Sequence, residues 1–409
     1  MRRSHRLGLL VVPAMTMALC VLYSSSTESS ASQSEQTYTL GVLTDLTGPA
    51  ASTELSVPLG VKAGVGLANK EGYHIKYVVA DGGTSPTGEL TAAQKLVEQD
   101  HVFAVVAVDA LTFAAAPYFN SNGIPVIGAD VDGNEWITDS NMFPTDDTNI
   151  YKNVYSVFGK FLKKEGVTNI AVLGYGITPS SALSTKSTAA SAAAEGIKVG
   201  YLNADFPFGS TNVAPIALAI KNAGSNGFYT GTETSTSFAM IEALKQDGVK
   251  MKVSLLPIGY GGDLLQGGPD AKQAAQGVYF EDAYEPVEMH TAATEQFQSA
   301  LKTYAGVTGD PTSNEYYAYV AINEFITGLK GAGADPTQAS LIKAMLKITN
   351  YNADGLLGDH GFGLSMSQRA QGFGPVECGW ETKFEGDKFQ LVPGADPICG
   401  PIDKGKTVS

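Results

Sequence analysis

The sequence predicts an α/β protein built as two similar units, and three observations carry that reading. Short uncharged runs of β-formers alternate with segments of helical periodicity, the pattern of parallel strands with helices on both faces. The alternation breaks at Asp139–Thr148 (DSNMFPTDDT) and then restarts with the same rhythm. A chain of 409 residues with 44% hydrophobic content is also long enough to bury two medium cores.

Tyr38–Thr44 is a charge-free first strand, and Asp45–Pro49 (DLTGP) is turn chemistry that cannot extend it. A helix follows from Pro58, with Leu59, Val61, Ala63, Val65, Leu67 and Ala68 as its apolar positions and Ser56 as a cap. In open α/β sheets the loop at a strand's carboxyl end faces the ligand crevice, which makes Asp45 a candidate site residue. His74–Ala80 is the second strand and Thr87–Asp100 an amphipathic helix. Val102–Val108 is the third strand, Thr112–Asn120 a helix, and Ile124–Gly128 a further strand. The second unit opens with a helix at Ile150–Glu165. Strands follow at Asn169–Leu173, Val199–Leu202, Gly227–Thr230, Lys252–Leu256 and Val278–Phe280, with helices at Ser180–Glu195, Val213–Ala223 and Ser235–Gln246 between them. Helices Thr291–Ala305, Ser313–Lys330 and Gln338–Leu346 come next, then a Gly-rich tail with short strands at Trp380–Phe384 and Phe389–Leu391. Two units joined by several crossings predict a cleft between two lobes.

The formal net charge of −14 argues against nucleic acid and anionic membrane surfaces, both of which need a basic face. Arg2, Arg3 and His5–Arg6 precede a charge-free run, Leu7–Tyr23, and then a Ser-rich stretch, the layout of a secretory signal. Residues 1–31 are expected to be the signal and 32–37 a tether. Losing the signal removes three Arg against one Glu, so the mature chain is more acidic still. Cys20 stands where a bacterial lipoprotein carries its lipidated cysteine, and the Ser-rich tether favours such an anchor. Leu19 occupies a place that wants a small residue, so Cys20 as a plain apolar residue of a discarded signal stays equally open.

Cys378 and Cys399, isolated in the tail of an exported chain, read as a disulfide, whose loop closure contributes on the order of 3 kcal/mol in the chain-entropy model. A metal site would need further ligands, and no His is near them in sequence. Gly400–Thr407 fits G-x-x-x-x-G-K-[ST], but no helix can follow it, and the motif works only ahead of a helix N-terminus. No G-x-S-x-G, H-E-x-x-H or C-x-x-C motif is present. The acid pairs Asp146-Asp147 and Glu281-Asp282 sit at unit boundaries and read as loop charge or hinge caps. A binder is favoured over an enzyme, and no cofactor or metal is expected.

Several pieces carry a resemblance: GVLTDLTGPAA at Gly41–Ala51, the helix ending in Asn69 with Gly72, and a second strand closing on Asp81. LTAAQKLVEQDHVFAVV at Leu90–Val106 and AAAPYFNSNGIPVIG at Ala114–Gly128 complete the set. In that order and spacing the chain resembles the solute-binding proteins of ABC importers, in their branched-chain amino acid (leucine-binding) branch. The resemblance implies the type I periplasmic binding protein fold, two Rossmann-like lobes joined by three crossings. Lobe 1 would hold residues 38–144 and 286–357, and lobe 2 residues 145–285 and 358–409. Crossings would fall near Pro144–Asn149, Glu281–Pro286 and Leu357–Gly363.

The same resemblance implies that Asp109, Ala110, Leu111 and Thr112 form the loop that holds a ligand carboxylate, with a second loop near Asp130 and Val131. The opposite lobe would contribute Thr232 and Glu233, and the place of the acid that pairs an ammonium falls on Ile258. Asp109 and Ile258 depart from that pattern, one repelling a carboxylate and the other unable to pair an ammonium, so a leucine-type zwitterion is not expected. Tyr260, between Gly259 and Gly261, is expected to supply a stacking face, and Glu233 or Asp263 a replacement acid. The implied protein is an exported monomer on the outer face of the cell membrane. It delivers a small amino acid-like, carboxylate, aromatic or apolar molecule to a membrane permease, and touches the membrane only through an N-terminal lipid. A ligand-sensing ectodomain on the same fold and a secreted enzyme are the competing readings.

Overall fold

The computed structural model describes residues 36–129, 131–146, 151–266, 268–372 and 376–409. The signal, Cys20, most of the tether and Asp130 lie outside the described residues. Strands β1 (Thr37–Thr44), β2 (His74–Asp81), β3 (Ala104–Ala107), β4 (Val126–Gly128) and β5 (Met142–Pro144) form a sheet in the order β2-β1-β3-β4-β5. All of its pairings are parallel, with Leu40 opposite Ala104 and Val105 opposite Val126. These strands are nearly continuous apolar runs because helices cover both of their faces.

The second sheet holds β6 (Asn153–Tyr155), β7 (Asn169–Tyr175), β8 (Lys198–Phe206), β9 (Gly227–Gly231), β10 (Val253–Leu256), β11 (Tyr279–Asp282), β12 (Val376–Glu385), β13 (Lys388–Leu391) and β14 (Ile398–Thr407). The run β8-β7-β9-β10-β11 is parallel. The tail then returns antiparallel: β12 pairs β11, β13 folds back on β12, and β14 joins β12 to β6. The expectation of two parallel sheets is therefore corrected for this half, which is mixed. β13 follows β12 through a tight hairpin, which has no crossover to turn it parallel.

Two local expectations change for the same non-local reason. The helix expected over Ile150–Glu165 is helical only at Ser156–Lys164, because Val154 and Tyr155 are spent in β6 against the far end of the chain. The motif-like Gly400–Thr407 lies in β14, an extended strand that builds no phosphate cradle. Cys378 and Cys399 stand opposite one another in the β12–β14 ladder and form a disulfide.

The chain passes between the sheets three times: between Pro144 and Asn153, after Asp282, and ahead of Val376. Helices 57–70 and 313–332 pack closely on the first sheet's side. A Cβ on Gly60 would lie 2.4 Å from the Glu315 carbonyl oxygen, so only glycine allows this approach. Thr312 and Glu315 cap the second of these helices reciprocally. Buried Arg369 donates to the carbonyls of Trp136, Asp139 and Met142 and so fixes Met366–Arg369 to the first sheet's edge.

Candidate functional site

A cavity of about 490 Å³ lies between the carboxyl ends of the two sheets. That volume is ample for a small organic molecule. From the first sheet's side come Thr53 and Glu54, after β1, and Val108, Asp109 and Ala110, directly after β3. The facing wall carries Tyr175 at the end of β7, Gly231 at the end of β9 with Glu233 after it, and Pro257 and Ile258 after β10. Ser181 ties the floor of that wall together. Its hydroxyl accepts from the Tyr175 N–H and donates to the Gly231 carbonyl, both at 2.8 Å. The two walls touch beside the cavity, where the Thr53 and Thr234 hydroxyls meet at 3.0 Å.

Of the residues expected at the site, Asp109, Ala110, Val131, Glu233 and Ile258 line the cavity. Leu111 and Thr112 are buried behind Asp109, supporting it: Asp109 Oδ1 accepts from the Leu111 N–H at 2.8 Å. Asp45 is one layer deeper, where its Oδ1 accepts from the Thr84 N–H at 2.5 Å. Thr232 is buried in a hydroxyl chain that runs from Thr230 to Ser237. Asp263 is buried away from the lining.

Tyr260 is the clear correction. It is 1% exposed, its ring packs 4.8 Å from that of Phe389, and its hydroxyl donates to Glu288 at 2.6 Å. It forms part of the core and no part of the cavity wall. A Cβ on Gly261 would lie 1.8 Å from the Pro311 carbonyl oxygen, and φ there is +62°, so this loop is pinned against residue 311 and its side chain turns inward.

Sequence reasoning missed Glu54, Tyr175, Phe208, Tyr317, Asp282 and Trp380, all of which line the cavity. Glu54 ends a single helical turn, Ala51–Glu54, inside what reads as plain loop. An acid so close behind the first strand was the signal available. The others reach the cavity by tertiary packing.

The electrostatics of the lining are one-sided. Among the described lining residues there are seven acids and no lysine or arginine. Burial pushes the Glu54 carboxyl well up, and Asp109, Asp45 and Glu233 push it further. Burial raises Asp109 in the same way, with Asp45 adding to it. Glu233 is raised to about 7, by burial first, and at Glu281, beside the second crossing, burial gives a value of about 8. Oxygens of Asp45, Glu54 and Asp109 come within 4.8 Å of one another, a spacing a metal ion can bridge. His360 also approaches Cys378 and Cys399, a proximity invisible in sequence, but both sulfurs are spent on their disulfide.

Two α/β halves with strand ends converging on one cavity define a ligand-binding protein of the hinged, two-lobed kind. The chain matches the model of the periplasmic binding protein family over residues 37–378, and it belongs to that family. Its fold is similar to that of a leucine-binding protein from Thermotoga maritima, at 15% identity, a TM-score of 0.69, and coverage of 87% of this chain and 97% of that one. An ABC transporter solute-binding protein from R. palustris, solved with 4-hydroxybenzoate, is similar at 17% identity and a TM-score of 0.71, covering 91% and 97%. An extracellular ligand-binding receptor from Rhodopseudomonas palustris HaA2 is similar at 18% identity and a TM-score of 0.68, covering 87% and 100%. No curated protein matches the sequence. Among the described residues no helix is long and apolar enough to cross a membrane.

Proposed function

We propose that this protein captures a small solute outside the cytoplasm and delivers it to the permease of an ABC importer. The observation that carries the reading is the cavity itself, walled by the strand ends of both sheets, so that a ligand there touches both halves at once. A ligand held by both walls favours the closed arrangement by its differential affinity, and closure is the signal a permease can read. We take residues 38–144 and 286–357 as lobe 1 and 145–285 and 358–409 as lobe 2, with Met366–Arg369 fastened to lobe 1 by Arg369. Tyr284 and Glu285 knit the crossings: the Tyr284 hydroxyl donates to Thr145 at 3.0 Å, and the Glu285 N–H donates to the Leu356 carbonyl at 2.7 Å. Asp109, Ala110, Val131, Glu233 and Ile258 are the expected ligand contacts, joined by Glu54 and Tyr175. Export and a monomeric state complete the reading, with Cys20 either the lipid-anchored residue or part of a discarded signal.

The test is a pair of measurements. Native mass spectrometry of gently purified protein should show one small-molecule adduct per chain. The loaded protein should stimulate the ATPase of the importer encoded beside it, reconstituted in vesicles. A loaded protein that leaves that ATPase unstimulated would remove the importer from the proposal. Absence of any adduct, with no binder in a metabolite screen, would remove solute capture.

A further inference from the structure

Resting on the solute-binding reading, we propose that the solute of this cavity is an organic cation: an amine or quaternary ammonium with an apolar or aromatic body and no carboxylate. Acids reach the lining from both walls and from the crossings: Glu54 and Asp109 on one side, Glu233 on the other, Asp146, Glu281 and Asp282 between. Among the described lining residues no lysine or arginine answers them. Asp109 and Glu233, one from each wall, both push the Glu54 carboxyl up. A positive ligand converts each of these repulsions to attraction, whereas an anion adds to them.

The second observation is independent of the charge count. Asp109 is 1% exposed and Glu233 7%, both line the cavity, and neither carboxyl is in an ion pair among the described residues. A buried carboxyl without a counter-ion favours a ligand that brings the opposite charge to it. One such carboxyl lies on each wall, so a cation that bridges them also holds the walls together.

The third observation concerns the body of the ligand. Tyr175 and Phe208 line the cavity with ring centroids 4.4 Å apart, and the Tyr175 hydroxyl accepts from the Glu233 N–H at 3.2 Å. A carboxylate beside aromatic rings suits an alkylated ammonium, which ring faces attract and water solvates weakly. A metal ion bridged by the Asp45, Glu54 and Asp109 oxygens would leave the rings and Glu233 on the facing wall unused. A benzoate-type anion would bring its own charge against Asp109 and Glu233. A zwitterion would satisfy one wall and offend the other.

The experiment titrates phenethylamine, tetramethylammonium, benzoate, leucine and calcium chloride into the purified protein, followed by calorimetry and thermal shift, on wild type, Glu233→Gln and Asp109→Asn. The expected result is binding of the two ammonium probes, no binding of benzoate or leucine, and phenethylamine affinity lowered at least about tenfold by Glu233→Gln. Thermal melting of the unliganded variants verifies that they fold. Binding of benzoate or leucine in place of the cations overturns the charge assignment and leaves solute capture standing. Stabilisation by calcium alone overturns it in favour of a metal site. Unchanged phenethylamine affinity in Glu233→Gln places the amine elsewhere and also overturns it. Binding by none of the probes overturns the inference, and the metabolite screen then decides solute capture separately.

Discussion

The loop after β3 and the loop after β10 leave the carboxyl ends of parallel strands in the two sheets, and each carries a polar residue beside small neighbours. Their side chains nevertheless end in opposite places. Asp109 stays on the cavity side, with Leu111 and Thr112 buried beneath it as support. Tyr260 turns into the core, gripped by Phe389 and Glu288 and held there by a loop that Pro311 presses closed. Strand topology delivers a backbone to the crevice, and what packs underneath decides which way the side chain points. The partners that capture Tyr260 come from β13, from residues 287–289 and from the turn before helix 313–332, all remote in sequence.

The sharpest way to break this contrast is to truncate the tyrosine. Tyr260→Ala should cost about 3–5 kcal/mol of stability, the range for emptying a large aromatic from a closed core, and should leave Glu288 without its donor. Chemical denaturation of the unliganded protein measures it, and ligand affinity should change far less. A variant that melts like wild type but binds weakly would return Tyr260 to the cavity wall.

A smaller effect separates the two regions by pH. Glu233, raised to about 7 from an ordinary value of 4.5, keeps its proton in the fold at a pH where the unfolded chain has released it. Its contribution is fully present below about 4.5 and is lost as pH climbs to about 7, on the order of 3 kcal/mol at 1.36 kcal/mol per unit. Asp45, Glu54, Glu89, Asp109 and Asp263 face the same region, are all raised, and share that sign. The unliganded protein should therefore be more stable near pH 5 than near pH 8. Thermal melts across that range check it, and a flat profile would show that these carboxyls ionise freely in the fold. Tyr260 itself should add nothing to the slope, because burial holds the tyrosine neutral throughout, whereas its partner Glu288 is raised by burial and shares the sign.

The two regions also differ in how legible they were. The parallel strands announced themselves, since buried strands between helices must be uniformly apolar, and Asp109 follows from its place after such a strand. Glu54 and Tyr175 did not announce themselves, since one sits in a four-residue turn and the other at the end of a strand expected to stop at Leu173. The antiparallel tail was the least visible part. Nothing in Asn153–Tyr155 or Ile398–Thr407 alone indicates that each is the other's ladder partner. Charge was legible as a total, but the gathering of acids on one cavity depends on the meeting of strand ends from both halves.

The smallest predicted effect probes the acidic wall directly. Asn at position 109 keeps the shape of Asp and an oxygen for the Leu111 N–H, and it removes the one group on this loop that can carry charge. Asp109 is raised by burial first and by Asp45 next, and its presence in turn raises Glu54 and Glu89. Asp109→Asn should change stability least at the acid end of the range, because burial favours the protonated native carboxyl, which the amide mimics. At pH 8 the variant should be more stable than wild type by about 1 kcal/mol, since one member of a set of like charges is gone. Melts of the unliganded pair at the two pH values measure the difference of differences, which cancels any general effect of the substitution. A loss of stability at both pH values would mean that the Asp109 carboxylate is needed to hold Leu111 and Thr112 in place. The acid would then support its wall, as Tyr260 supports its own region, and the contrast between the two loops would narrow to one of exposure alone.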